Sequence, residues 1–261
     1  LLHRSSIAVN ATVPAVDADQ VEAVLAGFGP CRTVKVKVAE PMQTLAEDVA
    51  RVHRVRELIG PEGRIRIDAN GAWNLDEAEH AIHAMADADL EYVEQPCASI
   101  AELAEIRKRV AYMDIPIAAD ESVRKATDPL EVARAGAADL LVLKAQPLGG
   151  VRLALSIAAA AGLPVVVSSA LDTSIGLAMG AHLAAALPEL DFDCGLGTAA
   201  LLTSDIAEAP LIPIDGAIPV NRPLVSQSAL ERWSVSDERR KWWIERLTRV
   251  HHALSTGATS E

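Results

Sequence analysis

Three strand-like apolar runs of this chain each end in a carboxylate: Asp68 in RIRIDANGAW, Glu94 in LEYVEQP and Asp120 in IPIAADES. Neighbouring acids of the set stand 26 residues apart. That is the length of one strand, one helix and two loops. A chain that repeats such a unit builds a parallel sheet with crossover helices, and successive strands deliver their last residues to the same edge.

The same alternation runs through most of the chain. Strands are predicted at 7–13, 33–38, 64–69, 90–94, 115–119, 139–144, 164–168 and 191–197, and helices at 17–28, 43–59, 75–87, 99–110, 128–136, 149–161 and 174–187. Asp17 precedes the first helix, and Asn74 with Glu77 three residues on reads as a capping box for the third. Gly60, Gly136 and Gly162 stand where helices should stop. Eight strands alternating with seven helices is the count of a (β/α)7β barrel, a TIM-like α/β fold. A doubly wound open sheet is the alternative, but no GxGxxG follows an early strand.

The barrel is expected over residues 1–228, its last part (205–228) Pro-rich and irregular. Residues 229–261 are expected to form a C-terminal helix and tail, with Trp233, Trp242, Trp243 and Leu247 packing on the barrel or on a capping domain. The final STGATSE reads as a frayed end.

Composition narrows the class of function. Half the residues are apolar, with Ala, Leu and Val dominant, as in helix-wrapped parallel sheets. A net charge of −12 argues against a nucleic-acid or anionic-membrane surface. Cys31, Cys97 and Cys194 lie far apart with no CxxC, which reads as reduced thiols in a cytoplasmic protein. No strictly apolar run is long enough to span a bilayer, and LLHRSS has no signal-peptide core. A small-molecule substrate is the expected partner.

A single acid at a strand end is usually a helix cap or a loop ion pair. Three on consecutive strands are harder to explain that way, because uncompensated carboxylates in one low-dielectric mouth repel strongly. A hard cation held by oxygen ligands offsets that charge, and Mg²⁺ suits it. Lys35 and Lys37 are two apart and share one side of their strand, opposite Val34, Val36 and Val38. If the valines pack against helices, the lysines point inside; the bland alternative is a pair of surface lysines on an edge strand. Lys144 ends DLLVLK and would enter from across the ring. Lysines facing a metal–carboxylate site fit proton transfer beside a stabilised oxyanion. Cys97 reads as a small hydrophobe in a loop, the seven histidines form no ligand set, and Trp242–Trp243 reads as packing.

The runs VKVKV, IDANGAW, YVEQP, IAADES and VLKAQPLGG, in that order and spacing, resemble the enolase superfamily. Lysines on strands two and six, with no His ending strand seven, are similar to its muconate-lactonizing subgroup. VVVSSALDTSIGLAMG, CGLGT and KWWIERL resemble the o-succinylbenzoate synthase family of actinobacterial type, and the likeness covers about residues 7–250.

The superfamily's known pattern is a Lys or His base beside Mg²⁺ that stabilises an enediolate. The resemblance implies that Asp68, Glu94 and Asp120 bind Mg²⁺, with Mn²⁺ as a substitute. It implies that Lys37 is the base and that Lys144 stabilises the enediolate. Lys35, by like-charge repulsion, would lower the pKa of Lys37. Asn70 and Glu121 would support the site, and Ser168, Ser169 and the backbone of Gly195 to Gly197 would hold the substrate's succinyl tail. The implied reaction is a dehydration in menaquinone biosynthesis. The alternatives are an N-acylamino acid racemase or dipeptide epimerase, for which Asp191-Phe192-Asp193 is a faint signal, and a non-catalytic barrel scaffold. Nothing before Ile7 corresponds to the family's N-terminal capping domain, so that domain is expected to be absent from this chain.

Overall fold

The computed structural model describes residues 3–125 and 128–256. Strand β1 (Ser6–Ala8) is followed by β2 (Ala11–Val13), α1 (Val21–Phe28), β3 (Thr33–Lys37), α2 (Leu45–Ile59), β4 (Arg64–Asp68), α3 (Leu75–Met85), β5 (Leu90–Glu94), α4 (Ile100–Arg109) and β6 (Ile117–Ala119). Then come α5 (Glu121–Arg124), α6 (Glu131–Arg134), β7 (Leu140–Leu143), α7 (Val151–Ala161), β8 (Val165–Val167), α8 (Ser174–Ala186), β9 (Ala217–Pro219), α9 (Gln227–Arg232) and α10 (Asp237–Thr256). Strands β2 to β8 form one sheet in chain order, every pair parallel. Parallel bridges Ser168–Gly195 and Val9–Cys194 close it, so the segment around Cys194 is the eighth stave of a barrel.

Alternation along the strands sorts the side chains. Val34, Val36, Ile65, Ile67 and Val93 are buried in the layer between sheet and helices. The opposite faces carry Lys35, Arg66 and Asp68, all buried. Deeper in the barrel, Tyr92, Ala118, Leu140, Val142 and Val166 form a separate apolar cluster with Phe192 against it. The inside is therefore a packed core below and a charged layer above.

Local signals place the helices. Thr44, Asn74 and Ser99 each accept a backbone N–H at the first turn of α2, α3 and α4, and in each case a glutamate three residues on completes the capping box. Gly60 and Gly162 follow α2 and α7 with φ of 72° and 64°, a left-handed geometry that costs glycine little.

Several boundaries differ from expectation. The predicted strand 7–13 breaks in two: β1 leaves the barrel and pairs antiparallel with β9. The predicted helix 128–136 shrinks to the single turn of α6, while an unforeseen turn, α5, starts directly after Asp120. The C-terminal helix is two helices, and Ser255 and Thr256 continue α10 rather than fraying. The rest of the expected frayed end, 257–261, lies outside the described residues. No side chain of α9 or α10 is buried. No helix is long and apolar enough to cross a membrane among the described residues.

Candidate active site

The C-terminal strand ends bring the predicted residues together. Lys37 on β3 is the register partner of Asp68 on β4, and Asp68 is the register partner of Glu94 on β5. Three inward side chains thus stand in one row. Asp120 follows β6 directly, and Lys144 follows β7 directly. Buried Arg51 of α2 fixes the end of β3 by donating to the Lys37 carbonyl at 2.8 Å.

The amines and carboxylates interlock. Lys35 Nζ donates to Glu94 Oε1 at 2.6 Å and lies 2.8 Å from Asp68 Oδ2. Lys37 Nζ donates to the same Asp68 oxygen at 2.6 Å and to Asn70 Oδ1 at 2.7 Å. Lys144 Nζ donates to Asp120 Oδ2 at 2.6 Å, and Arg124 Nε to Asp120 Oδ1 at 3.0 Å. Asn70 Nδ2 donates to Glu121 Oε1 at 3.3 Å. Every residue expected at the metal and lysine positions is in this network.

Burial separates the two strand-β3 lysines. The Lys35 side chain is 8% exposed and that of Lys37 is 25% exposed. Lys37 therefore faces the mouth, where a substrate can reach it, and Lys35 lies beneath.

The electrostatics follow from desolvation and charge. Burial would lower the Lys35 pKa, but Asp68 and Glu94 outweigh it and hold the ammonium well above its ordinary range. Burial would raise Asp68, yet Lys35 and Lys37 hold it well below the usual carboxylate range. Burial and the neighbouring Asp68 charge push Glu94 up to about 7. Its Oε2 is buried without a hydrogen-bond partner. A buried, unpaired carboxylate oxygen beside two further acids has the donor chemistry of a site for a hard cation. Among the described residues, no three acidic, His or Cys side chains form a ready-made metal cage; amines stand between the carboxylates.

On the far side of the mouth, Ser168 and Ser169 are buried beside the closing stave. Ser169 Oγ donates to the Gly195 carbonyl at 2.8 Å and meets Thr198 Oγ1 at 3.0 Å. A Cβ on Gly195 would lie 2.4 Å from Ser168 Oγ, and one on Gly197 would lie 3.0 Å from the Asn10 carbonyl, so both positions are held small by close approach. At the other end of the barrel, Asp193 accepts from Arg32 Nε at 2.8 Å and Thr33 Oγ1 at 2.7 Å. It caps the strand starts and points away from the mouth.

The Enolase C-terminal domain-like family model matches residues 16–223. This chain belongs to that family. The o-succinylbenzoate synthase of Mycobacterium tuberculosis is 54% identical over 254 residues, 97% of this chain and 76% of that protein. The Mycobacterium leprae o-succinylbenzoate synthase is 54% identical over 252 residues, 96% of this chain and 73% of its own length. The crystal structure of muconate cycloisomerase from Pseudomonas fluorescens superposes with a TM-score of 0.77 at 26% identity, covering 88% of this chain and 66% of that one. This enolase-like barrel thus shares its fold with muconate-lactonizing relatives.

Two residues of the enolase-like mouth were not foreseen. Arg124 sits one helical turn after Asp120 and ties it to Glu121; the i, i+4 spacing in DESVR was the available signal. Gln95 is fully buried between Glu94 and Pro96. A polar residue wedged between an acid and a proline gives no periodic signal, so only its contacts reveal it. Cys97 is buried, and burial pushes its thiol up to about 11, which leaves it unreactive at neutral pH.

Proposed function

We propose that this chain is a Mg²⁺-dependent o-succinylbenzoate synthase, a hydro-lyase of menaquinone biosynthesis. It converts 2-succinyl-6-hydroxy-2,4-cyclohexadiene-1-carboxylate to o-succinylbenzoate and water. One observation carries the chemistry: Lys37 and Lys144 enter a single mouth from β3 and the end of β7, with three buried carboxylates in the same ring. The choice of substrate rests on the 54% identity to relatives that bear that name.

In this reading Asp68, Glu94 and Asp120 hold the cation, and the orphaned Glu94 Oε2 supports that role. When bound, Mg²⁺ neutralises charge that develops on the substrate's ring carboxylate. Lys37 removes the proton α to that carboxylate. Lys144 places a fixed positive charge beside the enediolate oxygens. The C–O bond to the ring hydroxyl then breaks. Lys37, now protonated, returns its proton to the departing hydroxide, so one water leaves and the ring becomes aromatic. Asn70 orients Lys37, and Glu121 and Arg124 orient Asp120. Ser168, Ser169 and the Gly195–Gly197 backbone take the succinyl tail.

The test is one turnover assay with two substrates. The dehydration substrate and a set of N-succinylamino acids are offered to the purified chain with Mg²⁺. Dehydration faster in kcat/KM than racemisation supports the reading. Racemisation alone would assign the chain to the racemase alternative, and no turnover of either would favour a scaffold.

A further inference from the structure

We infer that Gln95 is a positioning residue that sets the relative placement of the three mouth carboxylates through one fully satisfied side-chain amide. The inference rests on the metal role proposed for Asp68, Glu94 and Asp120.

Gln95 has a backbone φ of 41°, a left-handed geometry that a non-glycine residue adopts only when its surroundings hold it there. The surroundings do so on three sides. Its N–H donates to the Ala118 carbonyl at 2.8 Å, and its own carbonyl accepts from Gly71 N–H at 2.7 Å. The residue that follows β5 is thereby tied to the loop after Asp68 and to β6, which leads into Asp120.

The side chain finishes the link. Gln95 Oε1 accepts from the backbone N–H of Asp120 at 3.0 Å and of Ser122 at 3.1 Å. Its Nε2 donates to the Cys97 carbonyl at 2.9 Å and to Ser122 Oγ at 2.7 Å. Both lone-pair sites and both hydrogens of the amide are used, and the group is fully buried. Glutamate would turn an acceptor toward the Cys97 carbonyl, and methionine would leave two buried N–H groups unpaired. Only an amide of this length meets two donors at one end and two acceptors at the other. Gln95 is fully buried and presents no surface to the mouth. It acts by holding Asp120, two residues from Ser122, against Glu94, its own neighbour.

The experiment measures Mn²⁺ binding by electron paramagnetic resonance, without substrate, on the purified full chain. The variants are Gln95→Met, Gln95→Glu, Ser122→Ala and Asp120→Asn, each checked by circular dichroism. Outer-sphere partners of metal ligands typically contribute about 10- to 100-fold in affinity. Gln95→Met should weaken Mn²⁺ by that range and Ser122→Ala by less, while both stay folded. In steady state, Gln95→Met should lose kcat and regain part of it at high Mg²⁺, which a merely structural lesion would not do. A folded Gln95→Met with wild-type Mn²⁺ affinity overturns the inference. If Gln95→Met does not fold, wild-type affinity in both Gln95→Glu and Ser122→Ala overturns it. Loss of binding in Asp120→Asn beside unchanged Gln95 variants sinks this inference alone. Wild-type protein that takes up no Mn²⁺ sinks the metal role and this inference with it.

Discussion

Lys37 and Asp68 face each other across β3 and β4 as register partners, with the amine 2.6 Å from the carboxylate oxygen. The contact places a mouth-facing base candidate directly beside a cation-ligand candidate. Replacing Lys37 by Ala should abolish exchange of the substrate α-proton with solvent, because it removes the mouth-facing base candidate. Replacing Lys144 by Ala should slow turnover by ~10²–10³-fold, the loss typical of one deleted oxyanion donor. Deuterium incorporation followed by NMR separates the two effects. Exchange lost in folded Lys35→Ala but retained in Lys37→Ala would make Lys35 the base instead.

Lys35 should matter more for stability than Lys37. Its ammonium is the buried partner of both Asp68 and Glu94. Removing it leaves two buried acids without their shared cation, a change that costs about 3–5 kcal/mol. Lys35→Ala should therefore lower the urea midpoint in metal-free buffer, and Lys37→Ala should lower it less. Equal, small shifts for both would contradict the burial order.

Gly195 and Ser168 form a bridge that closes the barrel. A Cβ at position 195 would displace the Ser168 hydroxyl, which stands 2.4 Å from it. Gly195→Ala should cost about 1–3 kcal/mol in stability, as overpacking does. If the serines hold the succinyl tail, KM should also rise while Mn²⁺ affinity stays put. An unchanged KM would remove Ser168 from the tail site.

At the strand starts, burial would raise the Asp193 pKa, but the hydrogen bonds from Arg32 and Thr33 outweigh it and hold the carboxyl below its ordinary value. A depressed folded pKa contributes stability above the unfolded value, about 3.9, and loses it as pH falls through the lower folded value. Asp193→Asn should thus be less stable than wild type at pH 6, and the gap should close toward pH 3. Urea unfolding at the two pH values checks it, and a gap that stays constant would contradict the pairing.

Much of this site is legible in the sequence because parallel strands convert spacing into position. Asp68 and Glu94 end their strands in register, and the valines of VKVKV turn Lys35 inward by simple alternation. Boundaries were less legible where tertiary contacts decide them. Ile7 and Val13 share one apolar run, yet β1 is drawn off the barrel by pairing with β9, far along the chain. The turn after Asp120 carries no sequence signal, because four residues are too few for a helical period. Gln95 is not legible because its role lies in partners on β6, in the loop after Asp68 and in the turn after Asp120.

The most direct test of the central claim is dehydration of 2-succinyl-6-hydroxy-2,4-cyclohexadiene-1-carboxylate by the purified chain before EDTA, after EDTA, and after Mg²⁺ is returned. The account predicts turnover that stops with the chelator and recovers with Mg²⁺, and none with Asp120→Asn. Undiminished turnover in EDTA would contradict it.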